Sequence, residues 1–356
     1  MMIPPGSTIG ILGGGQLGRM TALAASALGY KSHIYCPDSN GPAKQVTAFS
    51  TTAAYEDHGA LARFADAVDV ITFEFENVPA ETADFLAERK PVRPSPAVLR
   101  ISQDRLREKD FLRSVDVATT EYREVTGPAS LARAVRDLGL PAVLKSVRYG
   151  YDGKGQVKVG GDRDIEACWQ EMGAPIGILE GFVDFACEIS VIVARGGPGV
   201  LATYAPAENQ HQNHILDTTI VPARVTPEVT MRAEAIARHI AERLDLVGLI
   251  AVEMFVKPDD HVLVNELAPR PHNSGHWTLD GAVTSQFEQL VRAICGLPLG
   301  SPERHSDAVM KNLIGSDVEK WRDTLIEPNA KLHLYGKEKA LPGRKMGHVT
   351  RLTPHR

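Results

Sequence analysis

Short apolar runs alternate with helical patterns over the first hundred residues, and this alternation constrains the fold more than any other feature of the chain. The runs at residues 8–12, 32–35 and 68–73 predict strands. Between them, apolar residues recur near helical spacing: Leu17, Met20, Ala24, Ala27, Leu28, Leu61, Phe64 and Ala65. Strands that alternate with helices predict a parallel sheet with helices on its faces, and hence an α/β fold.

Three prolines mark the expected end of this first domain: Pro91, Pro94 and Pro96. We divide the chain into a Rossmann-like domain (1–100), a central region (101–298) and a small β-rich carboxy-terminal module (299–356). Strands are predicted in that module at 331–335 and 348–352. In the central region, Thr226 and Pro227 predict the start of a helix. Its apolar stripe consists of Val229, Ala233, Ile236, Ile240 and Leu244.

The composition limits the classes of protein to which the chain can belong. Its 356 residues are 43% hydrophobic and 23% charged, which is typical of two or three globular domains. No apolar run reaches the roughly 18 residues of a membrane span, and no secretory leader is visible. The four cysteines lie far apart, and the net charge is −5. We expect a soluble cytoplasmic protein with reduced thiols and without a membrane or nucleic-acid partner.

A glycine-rich turn follows the first predicted strand. Gly13, Gly15 and Gly18 have the spacing of the dinucleotide-binding fingerprint, and Asp38 lies twenty residues after Gly18. The physical content of this pattern is narrower, because it says only that backbone amides at a helix N-terminus face an anion. Two interpretations stay open from the motif alone: a nicotinamide or flavin cofactor, and a phosphorylated substrate.

The central region contains a lysine inside an apolar strand. Lys145 lies in the predicted strand 142–147, where burial of its ammonium group is costly unless it meets an anion. Residues 148–156 then form a basic, glycine-rich loop that lacks the spacing of a P-loop. The loop is either a mobile hairpin tip or a lid over a triphosphate, and the lysine favours the lid. Further strands are predicted at 178–183 and 187–193.

Two apolar strands at 249–256 and 261–267 each contain a glutamate, Glu253 or Glu266. A hairpin that closes around residues 259–260 places the two glutamates directly opposite each other, where like charges destabilise the pair. Such carboxylates need a raised pKa or a cation between them, and with an adjacent asparagine they suit Mg²⁺. The alternative is a slipped register that leaves one glutamate in solvent.

Several blocks together resemble the ATP-grasp superfamily. The lysine strand, the glycine-rich loop, residues 180–183 and the glutamate hairpin follow one another in the usual order of that superfamily. Within it, the chain resembles the branch that carboxylates aminoimidazole ribonucleotide in purine biosynthesis. The blocks that carry this resemblance lie at 13–20, 73–78, 150–156, 265–276 and 343–348.

The resemblance implies an ATP-grasp architecture, with a Rossmann-like domain, a two-lobed ATP-grasp region and the carboxy-terminal module. It implies ATP, 5-aminoimidazole ribonucleotide and bicarbonate as substrates. The products would be the carboxyamino ribonucleotide, ADP and phosphate, formed through carboxyphosphate. It also implies Mg²⁺, or alternatively Mn²⁺, and a cytoplasmic homodimer.

The resemblance also assigns the site residues in three groups. The nucleotide group is Lys109, Lys145, Gly150, Tyr151, Asp152, Gly153, Lys154, Gly155, Gln156, Glu180, Gly181, Phe182, Val183, Glu188, His211, Asn265 and Glu266. The ribonucleotide group, with the glycine turn around the ribose phosphate, is Gln16, Leu17, Glu76, Asn77, Asn273, Lys337, Arg344 and Lys345. Glu253 and Glu266 would hold the metal.

Four residues are candidates for the implied chemistry. Lys154, Arg270 and His272 would hold the carbonate-derived group, and Asp152 would take the proton of the attacking amine. A closed lid would keep water away from carboxyphosphate. Alternatively, three polar residues of this stretch are buried hydrogen-bonding side chains: His272, Asn273 and His276.

Three rival functions remain open at this point. A sibling ATP-grasp enzyme, either the formate-dependent glycinamide ribonucleotide transformylase or a biotin carboxylase, shares much of the pattern. A nicotinamide dehydrogenase rests on the glycine turn alone. A catalytically inactive nucleotide-binding scaffold would retain the fold, although the paired glutamates and the strand lysine argue against it.

Overall fold

The computed structural model describes residues 2–148, 150 and 155–355. The predicted α/β alternation is confirmed in the first sheet, whose four parallel strands have the order β3-β2-β1-β4. These strands are β1 (Thr8–Leu12), β2 (Lys31–Tyr35), β3 (Phe49–Thr51) and β4 (Val70–Phe73). The helices around them are α1 (Gln16–Ala27), α2 (His58–Asp66) and α3 (Ala80–Ala87).

The chain leaves this sheet through α4 (Pro96–Ser102) and α5 (Arg105–Ser114). A second, antiparallel sheet follows in the order β5-β8-β6-β7. It consists of β5 (Tyr122–Val125), β6 (Ala142–Ser146), β7 (Gln156–Val159) and β8 (Gly177–Gly181), with α6 (Pro128–Leu138) and α7 (Ile165–Met172) packed against it. The strand predicted at 178–183 therefore ends at Gly181, and the two residues after it lie outside the sheet.

A third sheet contains the remaining described strands, in the order β14-β13-β9-β11-β12-β15-β17-β16, with β10 paired to β9. Its first part consists of β9 (Cys187–Gly197), β10 (Val200–Thr203), β11 (Ala207–Gln212), β12 (Ile215–Val221), β13 (Gly248–Val256) and β14 (Val262–Ala268). Helix α8 (Pro227–Arg243) begins as predicted, because the hydroxyl of Thr226 accepts a hydrogen bond from the amide of Val229 at 3.3 Å.

The carboxy-terminal strands extend this third sheet. Strand β15 (Ser306–Ile314) pairs with β12, and β17 (Lys345–Pro354) then pairs with β15 and with β16 (Ala330–Leu334). The helices of this half are α9 (Thr278–Gly281), α10 (Gln286–Cys295) and α11 (Trp321–Ile326). Both strands predicted for the module are confirmed, although they belong to the large sheet and do not form one of their own.

One apolar core crosses the three parts of the chain. Ile11 in β1, Ile192 in β9 and Met310 in β15 belong to the same buried cluster. Helix α1 packs against α10 as well as its own sheet, so it buries Ala22 and Ala25, whereas Ala27 of the predicted stripe is exposed. No helix in the described part of the chain combines the length and hydropathy of a membrane span.

Candidate active site

A cleft of about 1040 Å³ opens where the three sheets meet. A pocket for one small ligand typically has roughly 300–1,000 Å³, so this volume suits more than one substrate. Most residues predicted for the site line it: Gln16, Leu17, Glu76, Asn77, Lys145, Gly150, Gly155, Gln156, Glu180, Gly181, Phe182, Val183, Glu188, His211, Glu253, Asn265, Glu266, Arg270, His272, Asn273 and Lys345.

The predicted opposition of Glu253 and Glu266 is confirmed, but its cause differs from the one expected. The loop between the strands is centred on residue 259, because Val256 pairs with Val262. That register alone would place Glu253 opposite residue 265. A one-residue bulge at Asn265 shifts the pairing, so that Glu253 faces Glu266.

Each of these glutamates has a positively charged or basic partner of its own. The carboxylate of Glu253 lies 2.8 Å from Nε2 of His272, and that of Glu266 lies 3.1 Å from a guanidinium nitrogen of Arg105. Burial acts to raise the pKa of Glu253, but His272 outweighs it and lowers the pKa to about 2. Of the two alternatives, the raised pKa is thus excluded for Glu253, and a cation between the two glutamates stays a prediction.

Asn265, the bulged residue, also supplies an oxygen for a cation. Its side-chain oxygen is buried and has no hydrogen-bond partner among the described residues. Together with the carboxylates of Glu253 and Glu266 it forms a set of hard oxygen donors, which fits Mg²⁺. Within the described ranges no three His, Cys, Asp or Glu side chains form a metal site by themselves. Further ligands would come from the substrate.

The strand lysine meets its anion within the protein. The ammonium of Lys145 lies 2.6 Å from the carboxylate of Glu180, and both side chains are almost buried. Burial raises the pKa of Glu180, but Lys145 and Lys109 outweigh it and lower the pKa to about 2. Lys145 thus has a carboxylate partner within the protein and also lines the cleft, and its contact with a phosphate stays a prediction.

Further along the cleft, a polar pair adjoins an aromatic wall. Nδ1 of His211 lies 3.0 Å from the carboxylate of Glu188, and this pair raises the pKa of His211 although burial acts to lower it. Phe185 and Phe255 stack with ring centroids 4.8 Å apart and also line the cleft. This wall suits a planar apolar ring.

Sequence reasoning missed several lining residues, among them Arg105, Phe185 and Phe255. A phenylalanine in or beside an apolar strand carries no signal that separates a binding wall from a core. Arg105 becomes notable only through its contact with Glu266, which lies 161 positions away.

Within the nucleotide group, Lys109 is the described residue that does not line the cleft. Lys109 is almost fully buried and does not line the cleft, because its ammonium donates to the hydroxyl of Thr119 at 2.7 Å and to the carbonyl of Asn265 at 2.8 Å. Four residues lie outside the described residues, and their assigned roles stay predictions: Tyr151, Asp152, Gly153 and Lys154.

The glycine turn holds an anion from the protein itself. The amides of Gly15 and Gly18 donate to the two carboxylate oxygens of Glu74, the second at 2.7 Å. Burial raises the pKa of this carboxyl, and the two amides act against that shift. A Cβ atom at Gly13 or Gly15 would lie within 2.3 or 2.6 Å of the Glu74 side chain. The expectation of a phosphate on these amides is therefore wrong, as is the dinucleotide interpretation.

The ribonucleotide group lies around a second ion pair. Glu76 accepts two hydrogen bonds from the guanidinium of Arg270, one of them at 2.9 Å. Burial raises the pKa of Glu76, but Arg270 outweighs it and lowers the pKa to about 2. The side-chain oxygen of Asn273 is buried without a partner among the described residues, and it is available to a ligand in the cleft.

The three predicted phosphate cations lie together at the edge of the cleft. The ammonium of Lys337 donates to the carbonyl of Lys345 at 2.7 Å. Burial, together with the charge of Arg344, lowers the pKa of Lys337 to about 8. Lys345 lines the cleft, whereas Lys337 and Arg344 are not among its lining residues. This arrangement fits a dianion, because it concentrates positive charge at one place.

The alternative structural role fits His276 best. This residue is fully buried, does not line the cleft, and packs against His348 with ring centroids 4.8 Å apart. Burial lowers its pKa well below the usual value, so the ring is neutral. His272 lines the cleft and is fixed at Nδ1 by the hydroxyl of Ser274 at 2.7 Å.

Three family models match the chain in succession. The ribonucleotide synthetase preATP-grasp domain matches residues 6–103, and the ATP-grasp domain matches residues 110–287. The phosphoribosylaminoimidazole carboxylase C-terminal domain matches residues 308–356. Fold and cleft thus define an ATP-grasp protein with a preATP-grasp domain in front of it.

Curated relatives indicate which family of ATP-grasp proteins the chain is most similar to. The N5-carboxyaminoimidazole ribonucleotide synthase of Brucella melitensis is 50% identical over 99% of this chain and 98% of its own length. That of Bacillus subtilis is 44% identical over 98% of this chain and 92% of its own. The bifunctional purine synthesis protein purC/E of Dictyostelium discoideum is 47% identical over 98% of this chain, which spans 37% of that longer protein.

Solved structures agree with the relatives. An N5-carboxyaminoimidazole ribonucleotide synthetase from Thermus thermophilus superposes with a TM-score of 0.91 at 43% identity, over 97% of this chain and 93% of its own. The synthase from Aspergillus clavatus in complex with ADP and 5-aminoimidazole ribonucleotide gives 0.92 at 33% identity, over 98% and 94%. The chain belongs to the N5-carboxyaminoimidazole ribonucleotide synthase family.

Proposed function

We propose that this chain catalyses the ATP-dependent carboxylation of 5-aminoimidazole ribonucleotide to N5-carboxyaminoimidazole ribonucleotide, with release of ADP and phosphate. One observation carries the proposal: a single cleft is lined both by the glutamate hairpin with Lys145 and by the Glu76–Arg270 pair with Lys345. Relatives at 44–50% identity are named for this product, and the Aspergillus clavatus relative was solved with ADP and the ribonucleotide.

The nucleotide is expected on the side of the second sheet. The stacked Phe185 and Phe255 offer a flat wall for the base, and Glu188 with His211 offers polar partners. Lys145 would contact the phosphates while it remains paired with Glu180, because its ammonium group has three N–H donors. These assignments rest on the lining of the cleft and on the resemblance of the sequence blocks.

The metal is expected at the glutamate hairpin. Glu253, Glu266 and the unpartnered oxygen of Asn265 would hold Mg²⁺, or Mn²⁺ in its place. When bound, the ion supplies positive charge for the oxygens of the transferred phosphoryl group. Arg105 and His272 orient the two carboxylates in the free protein through these contacts.

The carbonate-derived group is expected between these two halves. Arg270 is bound to Glu76 of the ribonucleotide group, and His272 is bound to Glu253 of the hairpin, so both lie at the junction. Bicarbonate would attack the γ-phosphate to give carboxyphosphate, and the amine would then attack its carbon as phosphate leaves. Arg270 would hold the carbonate oxygens through its N–H donors, and His272 would take part by sharing its Nε2–H between Glu253 and the carbonate group. The roles of Asp152 and Lys154 in amine deprotonation and carbonate binding remain sequence-based predictions.

The test is the dependence of turnover on each substrate. ADP and phosphate release should require ATP, 5-aminoimidazole ribonucleotide and bicarbonate together, and ¹³C-bicarbonate should label the ribonucleotide promptly after mixing. Glu266→Gln should nearly abolish turnover, whereas Glu338→Gln, at an exposed glutamate, should not. ADP release driven by formate with glycinamide ribonucleotide, or by biotin with bicarbonate, would replace the proposal with a sibling activity. ATP binding without any turnover would indicate a scaffold.

Two further properties follow from the family resemblance only. We expect a homodimer in the cytoplasm, because this is the usual assembly for the family and a twofold dimer is the commonest closed arrangement. Sedimentation at several protein concentrations measures the assembly directly.

A further inference from the structure

Glu108 is a buried carboxylate that the proposed chemistry does not use. It lies in α5 and is only 2% exposed. One carboxylate oxygen accepts a hydrogen bond from the backbone amide of Leu267 at 2.9 Å, across 159 positions of sequence. This contact joins α5 to β14, the outermost strand of the large sheet.

The next residue of α5 contacts the same strand two positions earlier. The ammonium of Lys109 donates to the carbonyl of Asn265 at 2.8 Å and to that of Val264 at 3.4 Å. It also donates to the hydroxyl of Thr119, which itself donates to the carbonyl of Val264 at 2.8 Å. Two consecutive residues of α5, Glu108 and Lys109, thus bind backbone groups on both sides of Glu266.

These backbone groups belong to the bulge that sets the register of the hairpin. An extra residue in a strand leaves backbone groups without partners in the ladder, and the outer edge of an edge strand adds more of them. Here the carbonyl of Asn265 and the amide of Leu267 find their partners on α5. Without the bulge, Glu253 would face residue 265, and the two carboxylates would no longer be opposite each other.

We propose that Glu108 is a positioning residue, which together with Lys109 clamps the Asn265 bulge and so holds Glu266 opposite Glu253. The inference rests on the proposed function in so far as this pair holds the metal. Residues that orient metal ligands without touching the metal typically contribute roughly 10–100-fold to metal affinity. The clamp predicts an effect of that size on the metal and none on the ribonucleotide.

The test compares two substitutions of similar size. Glu108→Met fills the same volume without an acceptor, whereas Glu108→Gln keeps an oxygen for the amide of Leu267. Leu112→Ala controls for lost packing, since its side chain lies in the same apolar cluster as Val264 and Leu267 but makes none of the hydrogen bonds of the clamp. Thr119→Val weakens the clamp from the Lys109 side and provides a second variant if Glu108→Met fails to fold.

Two readouts separate the outcomes. Hydrogen exchange of the segment 262–268 should be faster in Glu108→Met than in Glu108→Gln or Leu112→Ala. The affinity for Mn²⁺ in the presence of ADP, measured by electron paramagnetic resonance, should fall about 10–100-fold in Glu108→Met only, with an unchanged KM for the ribonucleotide. Wild-type exchange and Mn²⁺ affinity in Glu108→Met would overturn the positioning role. Failure of the unaltered protein to bind Mn²⁺ with ADP would overturn the metal assignment itself.

Discussion

Replacing Glu74 tests whether this carboxylate serves as the anion of the glycine turn. The side chain is buried and accepts hydrogen bonds from the amides of Gly15 and Gly18. In Glu74→Gln one amide keeps an oxygen, and the other faces an NH₂ group. One unsatisfied buried donor costs about 1–3 kcal/mol. In Glu74→Ala both amides lose their acceptor, so the expected loss of stability is about 2–6 kcal/mol.

Thermal unfolding measures this loss directly. One kcal/mol shifts Tm by about 2–4 °C in a domain of roughly 150–250 residues and by less in a longer chain, so Tm should fall by up to several degrees in Glu74→Gln and by more in Glu74→Ala. Glu88→Ala, at a carboxylate that is 75% exposed, should leave Tm unchanged. Because Gln16 and Leu17 extend from the same turn into the cleft, the KM for the ribonucleotide should rise while that for ATP stays nearly constant.

A small anion should repair the truncated variant. Added acetate can occupy the space left in Glu74→Ala and accept from the same two amides, so it should recover part of the lost Tm. It should have no such effect on the unaltered protein or on Glu88→Ala. Unchanged Tm and KM values in both Glu74 variants would refute the argument that this carboxylate fills the anion position.

Two further predictions follow from the other buried charges. Lys145→Met leaves the Glu180 carboxylate buried without its partner and should lower the free energy of unfolding, measured in urea, by about 3–5 kcal/mol. The double variant Lys145→Met/Glu180→Gln should recover most of this loss. Because the pKa of Glu180 is lowered to about 2, the contribution of this pair should be lost as the pH falls from about 4.5 toward 2. For Lys337, with its pKa lowered to about 8, the ammonium deprotonates as the pH rises through that value, so kcat/KM for the ribonucleotide should fall. Lys337→Arg should move that decline to higher pH, and an identical pH profile in both proteins would exclude Lys337 from phosphate binding.

The sequence predicted the glutamate hairpin correctly for a reason that was only partly right. Opposition of Glu253 and Glu266 was expected from a turn centred between residues 259 and 260. The structure has a longer loop centred on residue 259, and the bulge at Asn265 compensates by one position. A bulge depends on contacts with α5 that are distant in sequence, so local pattern could not reveal it.

The glycine turn shows the opposite case, in which a strong local motif misled. Its strand, turn and helix formed as the spacing predicts, but the anion is Glu74, which lies 59 positions from Gly15. Within the run of alternating phenylalanine and glutamate at 73–76, nothing in the sequence distinguishes Glu74 from Glu76. One turns toward the amides and the other pairs with Arg270, and only the packing of three sheets around one cleft decides between them.

The carboxy-terminal strands have a consequence for how the chain can be divided. Because β15 is hydrogen-bonded to β12, removal of residues 299–356 would convert an interior strand into an unprotected edge of the sheet. Exposed strand edges are templates for pairing with other chains, so the shortened protein should self-associate. It would also lose Lys337, Arg344 and Lys345 at the cleft. The last 58 residues therefore cannot be exchanged as an independent module, because they protect the edge of β12 and supply Lys345 to the lining of the cleft.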